Sequence, residues 1–130
     1  SYVWLRDGAV VSGQTTASLT ASQSGAYRVI VTNTSTQCFD TSAATTVTVN
    51  PLPGAAIAAA GPTTFCAGGS VVLNATPATG MSYVWLLNGS PVAGQTTASL
   101  TATAAGAYRV IVTNTSTQCF DTSAATTVTV

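Results

Sequence analysis

The chain repeats itself. Residues 1–49 align without a gap on residues 82–130, and 41 of those 49 positions are identical. The stretch 25–49 is the same as 106–130. Substitutions gather at 6–12 against 87–93 and at 22–24 against 103–105. Both clusters read as turns, where exchange costs little. Residues 50–81 have no counterpart, so the unit is 81 residues long. That is too long for a solenoid repeat of roughly 20–50 residues and suits a small domain that buries its own core. The expected layout is a partial unit over 1–49 that lacks its first strands, a Pro-rich linker over 50–53, and a complete unit over 54–130. On this reading the chain is a window cut from a longer tandem array, which agrees with its lack of a signal-peptide pattern.

Within the complete unit, short segments alternate apolar and polar residues, the mark of half-buried strands. Strands are expected over 70–75, 83–87, 98–102, 106–113 and 126–130, with a first strand over 55–60. Asn88-Gly89 is a strong turn signal after the second of these. Alternation puts Tyr108, Val110 and Val112 on one face of their strand and Arg109, Ile111 and Thr113 on the other. It likewise separates Tyr83 and Trp85 from Val84 and Leu86. No helical period is sustained. Short strands at near-regular spacing point to an all-β sandwich.

Composition removes several functions. The chain has three basic residues, three acidic ones, no His and zero net charge. Nucleic acid or an anionic membrane surface would need basic clusters. No apolar run approaches the ~20 residues of a membrane-spanning helix. Without His or Lys there is no His-activated nucleophile, no Ser-Lys pair and no isopeptide crosslink. Asp40 and Asp121 share one repeat position, and one carboxylate per unit cannot form the acid/base pair of a glycosidase. Such a residue could help to hold Ca²⁺, but a loop aspartate bonded to nearby backbone is the simpler reading. No catalytic residue, cofactor or metal is expected. A surface so poor in charge suits either lateral packing against copies of itself or glycosylation. The triplets beginning at Asn33, Asn74 and Asn114 fit the N-glycosylation pattern, which arises easily by chance in a Thr-rich chain.

The order of features resembles the immunoglobulin fold. Trp85 sits in the third strand, Gly106-Ala107-Tyr108 looks like a tyrosine corner, and Val110 stands where an antibody domain has its Cys. More closely, the unit resembles the Ig-like repeats of large secreted and surface proteins of Bacteroidota-type bacteria. The matching elements are FCAGGSVVLNA, YVWLLNG, GAYRVIVT, a Cys in the last loop, and TTVTVNP leading onward. This resemblance implies tandem immunoglobulin-like β-sandwiches, an extracellular location, an adhesive or filament-forming role and no enzymatic activity.

The cysteines are Cys38, Cys66 and Cys119. Cys38 is the repeat equivalent of Cys119, so its partner would lie outside this segment. A full unit carries two, and the favoured expectation is an intradomain Cys66–Cys119 disulfide worth about 4 kcal/mol. Standard immunoglobulin topology opposes it by placing the two at opposite ends. Free thiols and an intermolecular bridge therefore stay open. Expected core residues are Trp85, Tyr108, Leu73 and Val110, with Trp4, Tyr27 and Val29 in the partial unit. Trp4 and Trp85, with Tyr2 and Tyr83, could instead form a sugar platform, but one face of that strand must be core.

The functional expectation is a non-enzymatic stalk, adhesin rod or self-associating fibre. Its partners would be neighbouring copies of the same repeat, in cis or in trans by strand complementation or lateral packing. The alternative is a module that binds a glycan or protein through its loops, 113–118 for example. The open inner face of the partial unit would be covered either by strands from a neighbouring chain or by residues of the same longer polypeptide.

Overall fold

A computed structural model describes residues 1–76 and 78–130. The chain forms two compact units, Ser1–Val49 and Asn50–Val130. Every regular element among the described residues is a β-strand.

The second unit is an immunoglobulin-like β-sandwich. Its strands are β6 (Ile57–Ala59), β7 (Val71–Ala75), β8 (Met81–Leu87), β9 (Ser90–Pro91), β10 (Ser99–Ala102), β11 (Gly106–Asn114), β12 (Phe120–Thr122) and β13 (Thr126–Val128). One sheet has the order β10-β7-β6; the other runs β12-β11-β8-β9, with β13 also on β11. The chain crosses between the sheets from β7 to β8, from β9 to β10 and from β10 to β11, as in the immunoglobulin arrangement. Thr64 makes a parallel bridge to Thr129 and ties the first strand's continuation to the opposite sheet.

Alternation decides which side chains fill the space between the sheets. Along β8, Tyr83 and Trp85 are buried while Val84 is exposed; along β11, Tyr108, Val110 and Val112 are buried while Arg109 is exposed. Val71, Leu73 and Ala75 of β7 and Leu100 and Ala102 of β10 meet them from the other sheet. Trp85, Leu73 and Val110 have no exposed surface at all. Each buried aliphatic or aromatic side chain contributes about 2 kcal/mol through removal of apolar area from water.

The polar groups inside are satisfied. The Trp85 Nε1–H donates to the Thr97 carbonyl at 2.9 Å. The Tyr108 hydroxyl donates to the Ala104 carbonyl at 2.9 Å, the backbone tie of a tyrosine corner. Ser123, buried between β12 and β13, accepts from the Val110 N–H at 3.0 Å and donates to the Ala124 carbonyl at 3.0 Å. Removing the tyrosine hydroxyl alone leaves the Ala104 carbonyl without this donor. Tyr108→Phe is therefore expected to cost about 1 kcal/mol in the denaturant-induced unfolding of the second unit; a change of a few tenths would show that the tie is replaced by water.

The β8–β9 hairpin turns through Asn88 (φ 49) and Gly89 (φ 84), both left-handed, as a type I′ turn requires. Asn88 then accepts from the Ala107 N–H at 2.9 Å through its side-chain oxygen, which pins the turn to the start of β11. Gly106 completes the junction. Its φ is 151°, and a Cβ there would run into Leu87 Cδ1.

The first unit repeats the second sheet alone. Its strands are β1 (Tyr2–Arg6), β2 (Ala9–Val10), β3 (Gly25–Thr32), β4 (Phe39–Thr41) and β5 (Thr45–Val47), in the order β2-β1-β3-β4 with β5 also on β3. No counterpart of β6, β7 or β10 is formed in it. The short strands Ser90–Pro91 and Phe120–Thr122, with their counterparts in the first unit, lie outside the segments expected from alternation. Two or three residues are too few to show a period.

Candidate functional site

The described residues contain no group of three or more His, Cys, Asp or Glu side chains able to hold a metal ion. No helix among them is long and apolar enough to cross a membrane. Asp40 and Asp121 each accept from the next backbone N–H, at 2.9 Å in both units, the local role of a loop aspartate.

The cysteines do not pair. Cys38, Cys66 and Cys119 are all free thiols. Strand order gives the reason for the Cys66–Cys119 pair. Cys119 sits at the head of β12, where its carbonyl accepts from the Asn114 N–H at 2.8 Å. Cys66 follows Phe65, whose N–H donates to the Thr129 carbonyl at 3.1 Å, at the far end of the same edge. Ten residues of extended chain separate those anchor points, roughly 30 Å at ~3.3 Å per residue. A disulfide needs Cα atoms within about 7 Å. The expected intradomain bond is therefore incompatible with this fold. In the native protein, three thiol equivalents should react with a disulfide reagent such as Ellman's, with half-buried Cys119 the slowest. A single equivalent would contradict the strand order.

The expected core residues fall into two groups. Trp85, Tyr108, Leu73 and Val110 are buried in the second unit. In the first unit Tyr27 is buried, but Trp4 and Val29 are only partly covered. Val31 shows the contrast: it is 44% exposed, while its repeat equivalent Val112 is 1% exposed. The side chains are the same and the strands pair the same way, so the difference lies in the missing opposite sheet.

That face is concave in the first unit. A cavity of about 580 Å³ is lined by Trp4, Leu19, Ala21, Tyr27, Val29 and Val47, together with Ser42, Ala43 and Thr45. The lining is mostly apolar, with Ser42 and Thr45 its polar side chains, and no charged side chain contributes to it. Leu19 and Ala21 were not among the expected core residues. Their repeat equivalents, Leu100 and Ala102, alternate in the strand expected over 98–102, which is the signal that could have found them.

A second feature was also missed. Phe39 and Phe120 occupy one repeat position and are 72% and 60% exposed. Phe120 pairs across from Thr113, and Ile111 pairs across from Val84, so these side chains share the outer face of the sheet. An aromatic residue at the start of a three-residue strand next to a Cys carries no periodic signal. Its recurrence in both units is the only sequence hint.

No protein-family description and no curated protein sequence matches the chain. Among solved structures, the chain is similar to the three N-terminal domains of the Highly Immunogenic Outer Capsid protein (Hoc) of bacteriophage RB49. That match has 22% identity and a TM-score of 0.47 and covers 98% of this chain and 47% of that one. Sidekick-1 immunoglobulin domains 1–4 match at 20% identity with a TM-score of 0.42, covering 99% and 42% respectively. Sidekick-1 immunoglobulin domains 1–5 match at 20% identity with a TM-score of 0.40, covering 99% and 34%. The chain spans less than half the length of each of these structures. The fold assignment rests on the strand order of the second unit: it is an immunoglobulin-like sandwich, preceded by one isolated sheet of the same kind.

Proposed function

We propose that this chain is part of a non-enzymatic, extracellular structural array, a stalk, adhesin rod or fibre of a bacterial secreted or surface protein. The carrying observation is the repeat: 49 residues of an immunoglobulin-like unit recur at an offset of 81, with the sequence of their sheet almost unchanged. Near-identity over the 49 residues present twice suits a uniform mechanical part better than a set of diversified binding loops. The topology of the single unit supports this. Ile57 at the start of β6 pairs with Ala75, at one end of the sandwich. Thr129, after β13, pairs with Thr64 at the other end. A unit that receives the chain at one end and releases it at the other can be strung lengthwise through a short Pro-containing linker such as 50–53. The low charge and hydroxyl-rich surface fit lateral association of copies, and the outer apolar residues Val84, Ile111 and Phe120 supply a face for it.

The exposed Phe39 and Phe120 favour one second reading, a module that recognises a glycan or protein through that face. Two experiments separate the readings. Chains of one to four units, compared by small-angle scattering, should lengthen by a constant increment per unit. A glycan array probed with residues 50–130 should show no selective binding. Saturable binding to one glycan class, lost in Phe120→Ala, would replace the structural reading with the binding one.

A further inference from the structure

The outer face of the complete unit matches itself end to end. Residues directly opposite in antiparallel strands share a face. Val84, Ile111 and Thr122 therefore form one row across β8, β11 and β12, and Phe120 stands beside Thr113 in the next outward row. Arg109 lies on the same face of β11, in the row on the other side of Ile111, about 13 Å along the strands from the row of Phe120. Val84 is 43% and Phe120 60% exposed, and Arg109 is exposed as well. The Arg109 Nη1–H donates to the Ser123 carbonyl at 3.1 Å. That bond draws the guanidinium away from β11 toward the chain that follows β12. The face thus has an apolar middle, a cation at one end and an aromatic ring at the other, both on the β12 side. The first unit carries it unchanged. Val3, Ile30, Thr41, Arg28 and Phe39 hold the equivalent positions, and Arg28 donates to the Ser42 carbonyl at 3.2 Å.

We infer that this outer face docks on the same face of a second copy of the chain, with the strands of the two copies antiparallel. A two-fold axis that crosses the strands at the middle row sets Val84, Ile111 and Thr122 each against its own counterpart. It also exchanges the two ends, so the Phe120 ring of one copy arrives over the Arg109 guanidinium of the other, twice per pair. A guanidinium within about 6 Å of a ring centroid is attracted by the ring quadrupole, and the reach of an arginine suits the roughly 10 Å between stacked sheets. Such an isologous contact needs a self-complementary surface, and this one complements itself in both its apolar and its cation–ring parts. Arg109 is the one charged side chain in these rows. A strongly charged partner would therefore bury its ionised groups unpaired against Val84 and Ile111. The area is small. Three strands by three rows stay below the ~1,200 Å² of a stable specific interface, so one pair of faces should hold weakly, and a run of units should hold by engaging several. The inference rests on the structural reading above and gives its lateral contact a partner, an orientation and two paired residues.

The test is sedimentation equilibrium of the full chain 1–130 carrying Ile30→Asp, which puts a carboxylate on the first unit's outer face and leaves that of the complete unit to act alone. Expected is a reversible monomer–dimer equilibrium with a dissociation constant of about 0.1–1 mM. Phe120→Ala should weaken it at least about 10-fold, and so should Arg109→Gln. Both remove the same contact, so the two together should weaken it little more than either alone. Ile111→Asp opposes two carboxylates across the axis and should abolish the dimer. Thermal unfolding of each variant, expected within a few degrees of the parent because these side chains lie outside the core, separates loss of contact from loss of fold. A chain that stays monomeric at about 1 mM would overturn the inference, as would a dimer indifferent to Phe120→Ala and Arg109→Gln. Additive losses from those two would overturn the antiparallel pairing. None of these outcomes touches the structural reading, which the constant length increment per unit tests by itself.

Discussion

Trp85→Ala should remove the cooperative unfolding transition of the second unit, or lower its midpoint by roughly 15–30 °C. Trp85 is fully buried between the two sheets, and its Nε1–H is committed to the Thr97 carbonyl. Truncating a core aromatic to Ala costs about 3–5 kcal/mol, because the transfer free energy is lost and a cavity is left. A domain of this size holds only about 4–12 kcal/mol in total. The matching change Trp4→Ala should cost about 1 kcal/mol, since that ring packs on one sheet and is partly solvated. Calorimetry on the two variants checks both numbers. Equal effects would mean that the two units have equal cores.

The second large effect comes from one strand position read twice. Val112→Asp places an ionised carboxylate at a site with 1% exposure, in the middle of β11. No basic side chain faces it from the core cluster. Burying an unpaired charge costs about 4 kcal/mol or more, so the second unit should fail to fold. Val31→Asp makes the same substitution in the same sequence, but at 44% exposure. There the carboxylate keeps its water, and the change in stability should stay within about 0.5 kcal/mol. Urea denaturation followed by tryptophan emission measures both variants. Unfolding of the chain by Val31→Asp would show that the inner face of the first unit is covered in solution.

These two pairs also show what was legible from residues alone. The offset of 81 located the units; alternation separated the two faces of β8 and β11 and marked β10 as a strand, but Leu100 and Ala102 of β10 were not among the expected core residues. Tyr108 and Trp85 were readable because a strand with one apolar face must bury it. Three things were not. The pairing of Cys66 with Cys119 followed from counting two thiols per unit, whereas bonding depends on which ends of the sandwich they occupy. Ser123 is polar and lies in a loop; its burial follows from the chain passing between β12 and β13 under Val110. The state of residues 13–21 could not be read locally at all, since the same nine residues form a strand only where β7 lies beside them. Strand formation there is a tertiary property.

That last point offers the most direct measurement. Amide hydrogen exchange, resolved residue by residue by NMR on the full chain, compares residues 18–21 with 99–102. Their intrinsic exchange rates are nearly the same because the sequence is the same. If the chain is one closed sandwich plus one sheet with an open face, residues 99–102 should be protected close to the limit set by global unfolding, and 18–21 should exchange within the fast regime of unpaired edges. Equal, strong protection of both segments would contradict the account, because the first unit would then already have its opposite sheet.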